Sequence, residues 1–513
     1  MTRPIRLMAG FLTVGAWTLL SRVLGFARDV AIAAMLGAGP VAQAFLIAFS
    51  LPNMFRRFFA EGAFNMAFVP MFSKKLQVGD DPQGFAADAL SGLAGLLIVF
   101  TLIAQLAMPA LVLAMASGFV GDERFDLAVL FGRIAFPYIL FISLAALCSG
   151  VLNAAGRFAA AAAAPVFLNV LFLCAIGAAA WLGWDIGLTL AWTVPVAGIA
   201  QLGLVWWAAD RAGLRIRPHW PRLTPDLRRL AVIALPAMLA GGVVQINLLV
   251  GRQVASWFDG AVAWLAYADR LYQLPLGVVG IAIGVVLLPD LSRRLEAGDT
   301  EGGRDAFNRA TEFALALTLP AAVALAVVPG PLVTVLFERG AFTAADSAAT
   351  AAAVAVYGAG LPAFVLQKVL QPLYFARADT RTPFRLAVVA MLVNAAAAIG
   401  LAFVAGYIAA AIGATLAGWA MVGLLWRGSR GMGAAAEADA RLRRRLPRIV
   451  LASALMGAGL MLLAALLGPV WAMPGWRVAA LALLIGAGIV LYFGAAQLLG
   501  ALRLSELRTA LRR

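Results

Sequence analysis

Ser21–Asp29 reads SRVLGFARD, and it lies inside an apolar stretch from about residue 9 to 36 that is long enough to cross a hydrocarbon core of about 30 Å. Arg22, Arg28 and Asp29 therefore fall at membrane depth. A charge at the bilayer centre costs roughly 2.5 to 3.5 kcal/mol on the insertion scale, so such residues face a bundle interior or a wet cavity. The segment predicts a polytopic membrane protein with a polar site between its helices.

The rest of the chain agrees. Of 513 residues, 63% are hydrophobic and only 13% charged, with a mean hydropathy of +0.93. About fourteen apolar runs reach spanning length: 9–36, 41–72, 86–117, 128–152, 159–181 and 186–209, then 229–257, 262–291, 307–328, 346–375, 383–404, 407–426, 448–468 and 476–500. They lack the two-residue alternation of outer-membrane strands, so the fold class is all-α. The first run is too long and too charged for a cleaved signal.

The net charge of +15 is a topology signal. Arg3 and Arg6, Lys74 and Lys75, Arg157, the Arg211–Arg229 group, the Arg293–Arg309 group, Arg377–Arg385, the Arg427–Arg448 group and the tail from Arg503 fall in every second loop. Arg124, Arg339 and Arg477 are the main exceptions. The positive-inside rule then places both termini in the cytoplasm. The RLRRR run at 441–445 is read as topology and contact with anionic membrane lipids, with no nucleic acid as partner.

Lysine occurs only at 74, 75 and 368, so no GxxxxGK[ST] loop holds ATP. His219 is the single histidine, which leaves no histidine pair for a metal or a proton relay. Cys148 and Cys174 sit in apolar runs, as small hydrophobes. No cofactor is expected.

PMFSKKL from Pro70 recurs as PDLSRRL from Pro289, 219 residues on. Pro137 and Asn169 are 32 apart, as are Pro362 and Asn394. Together these echoes predict two six-helix halves in the same orientation, as in parallel-repeat transporters: residues 1–210 and 211–435, with 436–513 carrying two further helices and a basic tail. The substrate site is expected at mid-membrane between the halves.

On the first span Ser21 and Arg28 share one face, and Arg22 and Asp29 the next. The second span places Asn53 near Arg56, and Arg57 one turn from Glu61. The eighth carries YADRLYQLP, with Asp269 and Arg270 ahead of Pro275. Arg22, Arg28, Arg56 and Arg270 outnumber the acids Asp29, Glu61 and Asp269. Forked guanidinium groups suit phosphate oxygens, so a phosphate-bearing substrate is expected; internal salt bridges alone leave the excess positive charge unexplained.

SRVLGFARD, LPNMFRRFFAEGAFNMAFVP, YADRLYQLPLGVVGIAIGVVLLPDLSRRL, LFERGAFT and ARADTRTP resemble, in order, the signature segments of the MurJ (MviN) lipid II flippases. The resemblance implies the fold of the multidrug/oligosaccharidyl-lipid/polysaccharide exporter superfamily, with two six-helix lobes around a central cavity and two extra C-terminal helices. It implies alternating-access transport of lipid II, undecaprenyl-pyrophosphate carrying a disaccharide-pentapeptide, across the bacterial cytoplasmic membrane, without enzymatic chemistry. Substrate contacts would fall on Arg22, Arg28, Arg56 and Arg270, with Ser21 and Asn53 beside them. Asp29, Glu61 and Asp269 would act as gates or charge partners.

Two positions depart from the family pattern. Gln43 stands where an aspartate is expected and Gln273 where a glutamate is expected, so a hydrogen bond replaces an ion pair at the outer gate. A coupling-cation site has no clear counterpart, with Asp379 and Asn247 as candidates; either an ion or the membrane potential would drive transport. The alternative reading is an exporter of another polyprenyl-linked oligosaccharide or of drugs, which would not need these arginines. An enzyme would need acidic metal-binding motifs, for which Asp80 and Asp81 are a poor match.

Overall fold

A backbone with no water around it must satisfy its own polar groups, and long apolar runs do so as helices. In the computed structural model, which describes residues 7–57, 63–471, 473 and 475–502, no strand occurs among the described residues. Packing divides the chain into Met1–Leu249 and Val250–Arg513.

The first unit contains α1 (Leu7–Leu36), α2 (Pro40–Arg56), α3 (Ala63–Val78), α4 (Pro82–Leu106), α5 (Met108–Met115), α6 (Glu123–Ala135), α7 (Tyr138–Ala154), α8 (Ala159–Leu182), α9 (Ile186–Arg211) and most of α10 (Pro225–Ser256). The second contains the end of α10, then α11 (Ala261–Glu296), α12 (Thr300–Val327), α13 (Pro329–Phe337), α14 (Ala344–Phe375), α15 (Arg381–Ala405), α16 (Ile408–Ser429), α17 (Ala440–Leu466), α18 (Gly468–Trp471) and α19 (Arg477–Leu498). Among the described residues, ten helical segments, counting α6 and α7 as one, are long and apolar enough to cross a membrane. The division falls inside α10, and α17 and α19 group with the second unit.

The run 41–72 carries α2 and α3, and residues 58–62 between them lie outside the described set. Two expected spans are interrupted. The runs 86–117 and 128–152 break ahead of Pro109 and at Pro137. A proline inside a helix cannot bond to the carbonyl four residues back. Those two carbonyls belong to Gln105 and Arg133, and each residue supplies the other's missing donor: Gln105 Nε2 donates to the Arg133 carbonyl at 2.8 Å, and Arg133 Nε to the Gln105 carbonyl at 3.3 Å. The two breaks are thus stitched together.

Aspartates end the loops by capping: Asp81, Asp185, Asp299 and Asp439 each accept the backbone N–H three residues on. Thr343 and Asp346 form a reciprocal capping box. The two repeated motifs run into matching turns. Lys75 pairs with Asp80 at 2.8 Å around Gly79 (φ +76°), and Arg294 with Asp299 at 3.4 Å around Gly298 (φ +73°).

Helix packing relies on small residues that let backbones approach. In the first unit the ring of Tyr138 lies where a Cβ on Gly198 would project, and its hydroxyl donates to Gln201 at 3.2 Å. In the second, Gly360 and Gly418 flank Phe364. Around this core Leu106, Trp181, Phe403 and Leu498 lie open, as side chains facing lipid do.

α17 is held to α12 by a buried ionic joint. Glu312 is 5% exposed and pairs with Arg309 at 2.6 Å, Arg445 at 2.5 Å and Arg441 at 3.2 Å; Arg309 also pairs with Asp439. Two of the arginines in the 441–445 run are therefore committed inward, because α12 offers a buried carboxylate. Arg443 and Arg444 remain exposed. The loop after α9 is fastened too: His219 Nε2 lies 3.0 Å from Asp88 of α4, and its backbone N–H donates to Ser91.

Candidate functional site

Arg28 is the centre of the first unit's polar site. It lies eight residues before the end of α1, about 12 Å along the helix, and is 6% exposed. Its Nε and Nη2 both donate to Asp29 Oδ1, at 3.0 and 2.7 Å, and its Nη1 to Asn169 Oδ1 of α8 at 3.0 Å. The guanidinium carbon stands 5.7 Å from the Phe49 ring centre and 5.4 Å from that of Phe172. Among the described residues, three of five N–H donors are used, which leaves two for an anion.

Asn169 is the residue that sequence reading used only as a repeat marker. Its Nδ2 donates to the Ser21 carbonyl at 2.9 Å and reaches Ser21 Oγ at 3.4 Å. It packs where a Cβ on Gly25 would stand, 3.4 Å away, so one carboxamide ties α8 to both ends of the SRVLGFARD segment. A buried amide in an alanine-rich run was its signal.

The other expected residues are placed as follows. Arg22 is exposed and Ser21 half-buried. Asn53 donates to the Phe49 carbonyl at 2.8 Å, within α2, and Arg56 is half-buried in the last turn of that helix. Glu61 lies outside the described residues. Gln43 is 2% exposed; its Nε2 donates to the Ala38 carbonyl at 3.3 Å and its Oε1 accepts from Arg124 Nη1 at 3.5 Å. Arg124, read from sequence as an exception among the outer loops, is buried over the Phe119 ring and paired with Asp122 at 2.5 Å.

The second unit has its own cluster at the start of α11. Asp269 bonds to Tyr272 and Gln273, with Arg270 and Arg252 as its charged neighbours. Tyr272 stacks near Tyr357 and Phe364, with centroids 5.0 and 5.5 Å away. Arg252, in the apolar run 229–257, was overlooked in the sequence. One acid faces two arginines here.

The two cation candidates lie apart in sequence and in different elements, Asn247 on α10 and Asp379 in the turn before α15. Asp379 Oδ1 accepts from the Thr382 backbone at 2.9 Å and so holds the first turn of α15, and the Thr382 contacts keep its carboxyl below the ordinary aspartate value. Asn247 stands half-buried on α10. No group of three metal-ligating side chains occurs among the described residues.

A family model described as lipid II flippase MurJ matches residues 32–484. The probable lipid II flippase MurJ of Rhizobium meliloti (strain 1021) is 44% identical, covering 99% of this chain and 96% of its own length. This chain belongs to the MurJ family. Its fold is similar to a solved structure of lipid II flippase MurJ in an inward closed conformation, with a TM-score of 0.79 at 24% identity over 95% of this chain and 98% of the other. An inward-facing multidrug resistance MATE family transporter is a more distant match, with a TM-score of 0.69 at 15% identity over 83% of this chain and 99% of its own.

The first unit's cluster pairs one arginine, Arg28, with one carboxylate, whereas the second sets Arg270 and Arg252 around Asp269.

Proposed function

We propose that this chain carries lipid II across the bacterial cytoplasmic membrane from the inner to the outer leaflet. It is a lipid II flippase rather than an exporter of drugs or other lipid-linked sugars. The full-length 44% identity to a MurJ relative, joined to a buried Arg28 with two N–H donors to spare, supports the reading. The pyrophosphate binds to Arg28, Arg56 and Arg270, with Arg22 at its approach, and alternating access exposes it first inside and then outside. No bond is made or broken, so the protein is not an enzyme.

Fourteen spans with both termini in the cytoplasm fit the distribution of basic loops. The inside-negative potential favours outward movement of an anion by about 2.3 kcal/mol per charge per 100 mV, which supplies direction without ATP. The polyprenyl tail has an apolar berth between α12, α17 and α19, a cavity of about 340 Å³ lined by Ala316, Leu332, Met456, Leu460, Gly488 and Tyr492.

The test is the outside-accessible share of lipid-linked precursor in bacteria depleted of their own flippase and supplied with wild type or Arg270→Ala. Wild type should restore the external precursor. The variant, equally abundant in the membrane, should lower it at least tenfold. Precursor that stays inside with correctly inserted wild type would overturn the substrate assignment.

A further inference from the structure

Helices α9 and α16 end with the same exposed pair. At the end of α9, Arg211 stands over the Trp207 ring, 4.8 Å from its centre; at the end of α16, Arg430 stands over Trp426 at 4.1 Å. Both pairs are four residues apart, and the second lies 219 residues after the first, the spacing that also separates PMFSKKL from PDLSRRL. Trp207 is 57% exposed and Trp426 52%, and both arginines are exposed. Neither arginine has a carboxylate partner among the described residues. An exposed guanidinium backed by an indole is held in place with its N–H edge open.

We infer that each pair is a binding site for the phosphate of an anionic phospholipid, one at the cytoplasmic end of each half. Tryptophan settles at the headgroup level of a bilayer, and arginine one turn beyond it reaches the phosphate layer, where its fork matches phosphate oxygens. The indole face stabilises the cation without neutralising it. A carboxylate in its place would cancel the attraction. The occupant is the anionic lipid of the surrounding leaflet, because the indole needs apolar acyl contact that a free phosphate ion cannot supply. The inference rests on the cytoplasmic placement of these helix ends, and it is independent of what the protein transports.

Native mass spectrometry of the purified full chain, titrated with phosphatidylglycerol or phosphatidylcholine, reads the site directly. Wild type should retain phosphatidylglycerol in preference, by about fivefold per site, roughly what one arginine near an anionic surface contributes. Arg211→Gln with Arg430→Gln should abolish the preference at two sites, and each single change at one. Trp207→Leu with Trp426→Leu should weaken it as well. Arg157→Gln with Arg381→Gln removes equal charge from exposed arginines that stand over no aromatic ring among the described residues and should leave it intact. An unchanged preference in the Arg211/Arg430 variant, or an equal loss in the Arg157/Arg381 control, would overturn the inference. So would displacement of the lipid by millimolar inorganic phosphate, which would mark an ion site. Lipid II translocation is measured separately, so failure of one reading leaves the other standing.

Discussion

At the scale of single residues, the site depends on how a charge is held in an apolar setting. Arg28 is tolerated because Asp29 and Asn169 take three of its donors and two aromatic rings cover its faces. Asn169→Ala leaves Arg28 without its lateral anchor and Ser21 without its donor, at about 1–3 kcal/mol for the lost buried bonds. External lipid II should fall several-fold with insertion unchanged; full transport would show that Asp29 alone positions Arg28. Asp379 gives a pH prediction. Its contacts with Thr382 depress its pKa below 3.8 in the folded state, so the stabilisation it contributes is complete above the unfolded pKa. It is lost as pH falls through the lower, folded value. Wild type should therefore melt above Asp379→Asn at neutral pH, and the gap should start to narrow only as pH falls past 3.8, the ordinary aspartate value, on the way to the lower folded one. A gap that already narrows between about pH 7 and pH 5 would show that another group sets it.

At the scale of elements, prolines and buried ions decide how helices join. Gln105 and Arg133 repair two proline breaks at once, which lets the chain bend between α4 and α5 and between α6 and α7 without leaving carbonyls bare. The α12–α17 joint converges three arginines on Glu312. Removing one partner of a buried ion pair strands the others, at roughly 3–5 kcal/mol. Glu312→Gln should lower the thermal midpoint of the detergent-solubilised protein and loosen the α17–α19 pair to proteolysis. A midpoint within a degree of wild type would show that the remaining acids suffice, namely Asp439 and Asp305, which stands 3.2 Å from Arg309.

For the whole molecule, the direction of the proposed transport comes from the membrane potential and the charge of the cargo. Collapsing the potential with an ionophore should lower the external share of lipid II in cells that rely on this chain, since each negative charge loses about 2.3 kcal/mol per 100 mV. An unchanged share, with the potential shown to be gone, would point to an ion gradient or to consumption of product outside. The matching turns after Lys75 and Arg294, and the matching Trp–Arg ends at Arg211 and Arg430, show the same design used twice in one chain.

The sequence by itself determined the helical membrane class, the setting of arginines within long apolar runs and the repeated motifs. These follow from local chemistry: apolar length, charge and spacing are properties of a segment alone. Only the tertiary structure decided which partners those charges take. Asn169 lies 141 residues from Arg28, Glu312 133 from Arg445, and Gln105 28 from Arg133. A buried polar group is satisfied by whatever the fold brings within about 3 Å, and no local pattern records that neighbour.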